Sequence, residues 1–535
     1  MHRLSHVLSV VVVSLLLAVC TARSAPIAPA THIPRTADTR IEVEELTLAE
    51  AQEKLVSGEW SSHALTQAYL ERIAALDRSG PKLDAVIELN PDALNDADAL
   101  DAERKSGKFR GPLHGIPVLI KDNIDAVGMV TSAGSLALSD NRPSRDSFLV
   151  QRLRAAGVVI LGKTNLSEWA NFRSTHAISG WSSRGGQTRN PYALDRNPCG
   201  SSAGTGAGIA ASLAMVGVGT ETDGSIICPS SQNGLVGLKP TVGLVSRNGI
   251  IPISISQDTA GPMGRSVADV AALLNVLAAK DEKDPAGGAS AGRIPPDYSA
   301  YLKTDALRGK RFGVLRQSMG NLPVVDAAVE HSIAALKAAG ADIVDVKIDT
   351  WGKWDAVELD VLLYEFKDGL NAYLRNSGAS QTSLADLIAW NKQHANEAMP
   401  LFDQELFDQA QAKGPLTDAA YIKAHAEAHR MAGTEGLMRA LTANHLDAII
   451  APAVGPAWPI DPVLGDHDIG SGSGIAAVAG TPSITVPMCN ARGLPLGLVF
   501  LGPAWSEGAL LGYAYAFEQA THARRKPEYK PTIGE

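Results

Sequence analysis

The chain has 535 residues, more than one ordinary core needs, so one large domain or two or three units would suit it. Its residues are 45% hydrophobic and 20% charged, a soluble globular composition that is neither disordered nor fibrous. A net charge of -9 supplies no Lys/Arg stripe to neutralise phosphates, which argues against a nucleic-acid partner.

At the N-terminus, Arg3 with His2 and His6 precedes an apolar run over 7–19, followed by the small residues Ala22, Ser24 and Ala25. This is the order of a secretory signal peptide, and the run is short for a membrane span. The expectation is a signal at 1–25, cleaved after Ala22 or Ala25. The protein is then exported, periplasmic or secreted, with no stable membrane insertion after cleavage. Residues 26–45, rich in Pro, Ala and Thr, read as a loose leader. Thr47 and Glu50 have the spacing of a capping box. Beyond them Leu65, Tyr69, Ile73 and Leu76 recur on one helical face.

Short apolar runs at 116–120, 158–161 and 215–218 read as buried strands, with a helical pattern over 147–156 between two of them. Strand–helix alternation of this kind indicates an α/β sheet covered on both faces. The segment 281–296 is rich in breakers and reads as a surface excursion. Strand-like runs follow at 312–315 and 343–346. Residues from about 355 to 445 are mostly helical in pattern, and strands return at 448–451, 483–486 and 498–501. A helical insertion flanked by returning strands indicates a cap on one large domain, placed at 46–530. No internal repeat is visible.

Cys20 falls inside the expected signal, leaving Cys199, Cys228 and Cys489 without any C-x-x-C pair. Neither a zinc cage nor a disulfide framework is indicated, and no metal or other cofactor is called for. Three buried small residues is the favoured reading, with a Cys199–Cys228 bridge as the alternative.

Chemistry concentrates in residues 199–240. Gly200-Ser201-Ser202 leads into a stretch of small residues suited to a tightly packed helix. A strand follows, and the chain then turns at Thr222-Asp223-Gly224-Ser225. A Gly-bearing turn lets consecutive N–H groups point into one concavity, so a serine at its end sits beside ready-made oxyanion donors. Upstream, Gly115-Ile116-Pro117-Val118-Leu119-Ile120-Lys121-Asp122 places a lysine at the end of an apolar strand. Desolvation there disfavours its charge. Gly162-Lys163-Thr164-Asn165 closes the next strand.

Together these residues resemble the amidase signature family, which shows G-x-P-x-x-x-K-D, G-K-T-N, two Gly/Ser motifs and G-L-K-P-T in that order. The last stands intact as Gly237-Leu238-Lys239-Pro240-Thr241. The resemblance runs from about residue 45 to about 525. It implies one α/β domain with a large mixed sheet wrapped by helices. It also implies a triad in which Lys121 is the base, Ser201 the proton relay after a cis Gly200–Ser201 bond, and Ser225 the nucleophile. The N–H groups of Thr222, Asp223, Gly224 and Ser225 would hold the oxyanion, with Ser202 in a supporting place. Cys199, Ala203, Glu221 and Asp223 depart from the family wording around these serines.

Within the family, the wording is most similar to bacterial peptide amidases, which remove the C-terminal amide of peptides. The implied substrate is a small-molecule or peptide amide; oligomeric state stays open. One pocket wall is expected near Asn171 and Phe172, another from the loop 465–474 and the cap. An alternative is a broad amidase for small aliphatic or aryl amides, and a remote one is a non-catalytic binding protein on the same fold. Gly200-Ser201-Ser202-Ala203-Gly204 also fits the G-x-S-x-G elbow with Ser202 as nucleophile, but that leaves Lys121 and Ser225 unexplained. His425 and His429 lie one turn apart, where a solvated helix face is the expectation over a metal site.

Overall fold

Thr47 caps the helix Leu48–Ser57, and the reciprocal bond from the Thr47 N–H to the Glu50 carboxylate completes the capping box. The next helix, Ser62–Leu76, buries Leu65, Tyr69 and Ile73 along one face. These elements open a computed structural model that describes residues 41–534. The expected signal peptide, and the leader as far as residue 40, lie outside the described residues. Packing starts ahead of residue 46: Val43 is buried, Glu45 N–H donates to Ser212 Oγ at 3.1 Å, and Glu44 pairs with Arg72 and Lys526.

Thirteen strands follow in chain order: β1 (Val86–Leu89), β2 (Pro117–Lys121), β3 (Val159–Thr164), β4 (Trp181–Ser182), β5 (Gly186–Gln187), β6 (Val216–Glu221) and β7 (Val236–Lys239). The rest are β8 (Thr259–Gly264), β9 (Arg311–Leu315), β10 (Asp342–Val346), β11 (Ala448–Pro452), β12 (Ser483–Ala491) and β13 (Leu494–Leu501). Apart from the β4–β5 ribbon they form one 11-stranded sheet in the order β1-β3-β2-β6-β8-β7-β12-β13-β11-β9-β10. It is mixed: β3, β2 and β6 are mutually parallel, β6, β8, β7, β12, β13 and β11 pair antiparallel, and β11, β9 and β10 are parallel again.

The central strands are buried at every position, which is why they read as continuous apolar runs rather than alternating ones. The sequence-predicted strands all form, most with longer ends. No predicted run covers β8, whose sequence TAGPMG carries Gly and Pro, yet it sits between β6 and β7. The helical region comprises Asp355–Leu374, Leu384–Gln393, Glu405–Gln411 and Ala419–His429 among others, leading back into β11. The segment 281–296 is not a free excursion. Asp281 and Asp284 are buried, taking hydrogen bonds from Ser246 Oγ at 2.7 Å and from Arg247 N–H at 2.8 Å. His425 and His429 are half-buried with ring centroids 4.9 Å apart, rather than a solvated face.

Candidate active site

Lys121 is the last residue of β2 and is completely buried. Its Nζ lies 2.7 Å from Ser201 Oγ, 2.9 Å from Thr220 Oγ1 and 3.1 Å from the Thr220 carbonyl oxygen. Burial pushes its pKa down from 10.5 to about 7, against the opposing pull of Asp258 and then Glu221. A neutral amine has two N–H donors and one lone pair, and three contacts suit that count. In the neutral form the two Thr220 oxygens would take the N–H groups and leave the lone pair for the Ser201 hydroxyl, whereas the charged form would donate to all three.

Two strands place this contact. The parallel pairing of β2 with β6 sets Ile120 against Val218, so Lys121 and Thr220 leave the same end of the sheet. Ser201 arrives through a cis Gly200–Ser201 peptide at the start of the helix Ala203–Ala210. That helix packs closely because it is built of small residues: a Cβ on Gly204 would lie 2.2 Å from the Ala85 carbonyl oxygen. Ser202 Oγ donates to the Thr220 carbonyl at 3.1 Å and accepts from Thr220 N–H at 3.2 Å. It therefore fixes the residue that holds the lysine.

Ser225 ends the turn that follows β6. Gly224 adopts φ 75°, a conformation that favours glycine, and Ser225 is 8% exposed. Its backbone carbonyl accepts from Ser202 N–H at 3.2 Å, which binds the two serine segments together. The Ser225 hydroxyl has no hydrogen-bond partner among the described residues, and neither do the N–H groups of Asp223 and Ser225. Thr222 Oγ1 donates to Asp258 Oδ1 at 2.6 Å. Glu221 is buried, and its Oε2 accepts from the N–H groups of Ile226 at 2.6 Å and Ile227 at 2.9 Å, fixing the far side of the turn.

The other motif residues act as ties. Lys163 lies 3.3 Å from Asp122 in a fully buried pair and donates to the Val130 carbonyl and Thr131 Oγ1, both at 3.1 Å. Thr164 and Thr205 hydroxyls meet at 2.7 Å, and the Asn165 carbonyl accepts from Gly204 N–H at 2.9 Å. Lys239, pushed down to about 8 by burial, donates to the Pro240 carbonyl at 3.1 Å.

Cys199 and Cys228 form a disulfide, so the alternative reading holds and the favoured one is corrected. Their spacing carries no local signature; they meet because the Ser201 and Ser225 segments are adjacent. Cys489 is half-buried and free.

Two cavities flank the serines. An inner one of about 40 Å³ is lined by Ser201, Thr220, Thr222 and Asp258. An outer one of about 600 Å³ is lined by Asn171, Cys199, Gly200, Asp223, Gly224 and residues of the cap and the 465–474 loop. Asn171 Nδ2 donates to Ser179 Oγ at 3.0 Å, while its buried Oδ1 has no partner among the described residues. Phe172 does not form the wall expected of it: it is buried against Phe366, ring centroids 5.1 Å apart. Asp258 and Glu358, both at the site, have no motif to announce them in sequence, and Thr220 stands in the Gly-bearing motif without having been assigned a role.

This fold and site define an amide hydrolase of the Ser–Ser–Lys type. The family model described as Amidase matches residues 64–511, and the chain belongs to the amidase family. The native peptide amidase from Stenotrophomonas maltophilia superposes with a TM-score of 0.87 at 55% identity, covering 91% of this chain and 99% of that one. An amidase family protein from Bacillus anthracis superposes with a TM-score of 0.82 at 36% identity, over 91% of this chain and 93% of its own. A probable amidase of Arabidopsis thaliana is 39% identical over 91% of this chain and 92% of its own. The protein is an enzyme that hydrolyses amide C–N bonds.

Proposed function

We propose that this amidase removes the amide from peptide C-termini, releasing ammonia and leaving internal peptide bonds alone. The observation that carries the reading is the likeness to the Stenotrophomonas maltophilia peptide amidase over nearly the whole chain. A cavity of about 600 Å³, lined in part by cap and loop residues, supplies room for a peptide end rather than a single small amide.

In this scheme neutral Lys121 takes the Ser201 proton while Ser201 takes that of Ser225. The Ser225 oxygen bonds to the amide carbon. The oxyanion rests on N–H groups of the turn Thr222, Asp223, Gly224 and Ser225. The proton returns along the relay to the nitrogen, the C–N bond breaks and ammonia leaves. Water then attacks the ester by the same route, giving a peptide carboxylate and free Ser225. Ser202 acts through Thr220. Export belongs to the same proposal, with a periplasmic or secreted enzyme as its outcome.

The broad-amidase alternative differs in what the pocket admits. Comparison of kcat/KM for a dipeptide amide, acetamide, an anilide and the same peptide extended by one residue separates the two. The dipeptide amide should lead and the extended peptide should stay intact. A higher specificity constant for acetamide removes the peptide reading. N-terminal sequencing of exported protein should start after Ala22 or Ala25, and an intact Met1 in a cytosolic fraction would refute export.

A further inference from the structure

The outer cavity is acidic to a degree that the hydrolysis itself does not require. Five carboxylates line it, from Asp223, Asp355, Glu358, Asp466 and Asp468, with no Lys, Arg or His on its wall. None of the five is in an ion pair among the described residues. Asp466 is satisfied locally, taking bonds from Ser179 N–H, Asn197 Nδ2 and Trp458 Nε1 at 3.0–3.1 Å. A second carboxylate is not. Glu358 is only 7% exposed, and Oε1 accepts from Gln257 Nε2 at 2.8 Å while Oε2 has no hydrogen-bond partner among the described residues. Asp223 belongs to the catalytic turn itself and opens on the cavity, its carboxylate without a hydrogen-bond partner among the described residues.

Carboxylates crowded together are unfavourable unless a proton or a cation neutralises them; Glu358 is buried here, while Asp223, Asp355 and Asp468 are exposed to the cavity. Burial first, and then Asp355 against a lowering bond from Gln257, holds Glu358 up to about 7. Burial, then Glu358, Glu221 and Asp355, holds Asp223 well above the usual carboxylate range even though its side chain opens on the cavity. Trp351 and Trp354 line the same wall, edge to face with centroids 5.5 Å apart; Trp354 is buried and Trp351 half-buried, and indole rings attract cations.

We infer that this wall takes a cationic group, a primary ammonium or a guanidinium, on the acyl side of the scissile amide. Glu358, Asp355 and Asp223 would supply the charge, and Trp351 and Trp354 the aromatic faces. The inference rests on the peptide-amide reading and adds a substrate class to it. Two sources carry that chemistry: a lysine or arginine side chain next to the amide, or the free α-ammonium of a short peptide.

The test is a substrate series at pH 8 and low salt, read as kcat/KM. N-acetylated dipeptide amides carry lysine, arginine, norleucine or glutamate next to the scissile amide, and a second arm repeats norleucine with a free α-amine. One cationic arm should exceed acetylated norleucine by about tenfold, with glutamate behind it, and the arm that gains identifies the source. The advantage should shrink as added salt screens it. In Glu358→Gln and Asp355→Asn the cation-to-norleucine ratio should fall toward one, whatever the absolute rates become. Asp355 is exposed, so its variant keeps the test alive if Glu358→Gln misfolds. Norleucine turnover with no cation preference, or a preference unchanged in both variants, overturns the inference alone. Failure to turn over any peptide amide sinks the reading beneath it, and this inference with it.

Discussion

Replacing Lys121 with methionine should inactivate the enzyme and yet make it harder to unfold at neutral pH. The side chain is wholly buried, and burial lowers its pKa from 10.5 to about 7. On folding at pH 7 the lysine gives up about half a proton that the unfolded chain would keep, and its burial costs about 4–5 kcal/mol. Methionine fills similar volume without that cost. Against it stands the loss of polar partners. Thr220 keeps Asn123 Nδ2 on its hydroxyl and Ser202 Oγ on its carbonyl, so Ser201 Oγ is the atom left unsatisfied, at about 1–3 kcal/mol. The net gain is about 2–4 kcal/mol at pH 7. The sign follows from the lowered pKa: the penalty is complete below about 7, fades by about 1.4 kcal/mol per pH unit above it, and is gone past 10.5. Urea unfolding of both proteins at pH 7, 8, 9 and 10 reads this directly, provided the slopes match. The methionine variant should lead at pH 7 and lose its lead toward pH 10. A difference that ignores pH, or a variant less stable at pH 7, would show that Lys121 is not held neutral by burial.

Ser225→Ala should abolish turnover, and a sulfonyl fluoride should label Ser225 in the unaltered enzyme; an adduct mapped to Ser202 would favour the G-x-S-x-G elbow instead. The acid limb of kcat/KM should have its midpoint near the Lys121 value of about 7, activity falling as the lysine gains its proton. Asp258→Asn removes the largest pull that keeps the lysine charged, so that limb should move to lower pH, and a shift upward would contradict the assignment. Replacing Cys199 and Cys228 by alanine opens a loop of 29 residues and should cost about 3–4 kcal/mol of stability, measured by urea unfolding with the single Cys489 unchanged.

Much of the site was legible because its chemistry is local in sequence. The lysine at the end of an apolar run, the small-residue helix after Ser201 and the Gly turn before Ser225 each carry a backbone reason for being there. What escaped was set by packing between distant segments. Asp258 shows no pattern, and it matters because the chain from 253 to 258 folds over Thr222. Glu358 reads as one more charge on a helix until the cap brings it beside Asp223. The disulfide was invisible for the same reason, since 29 residues separate its ends. Strand β8 was missed because Gly261 and Pro262 argue against a central strand, and tertiary pairing with β6 and β7 overrode that preference. Phe172 was placed on the cavity wall by its nearness to Asn171, yet its ring turned into the cap's core.

The order of the 11-stranded sheet has an evolutionary reading. Its first six strands all come from residues 86–264 and its last five from 311–501, joined at one seam where Gly237, Leu238 and Lys239 face Thr485, Ile484 and Ser483. Lys121, Ser201 and Ser225 all belong to the first block. The second contributes Asp355, Glu358, Trp458, Asp466 and Asp468 to the outer cavity. Bond-breaking and recognition are therefore written in largely separate stretches of one gene. Drift in the later stretch can retune which amides enter while the earlier one is held constant, so a lineage of such enzymes can change diet without reinventing its teeth.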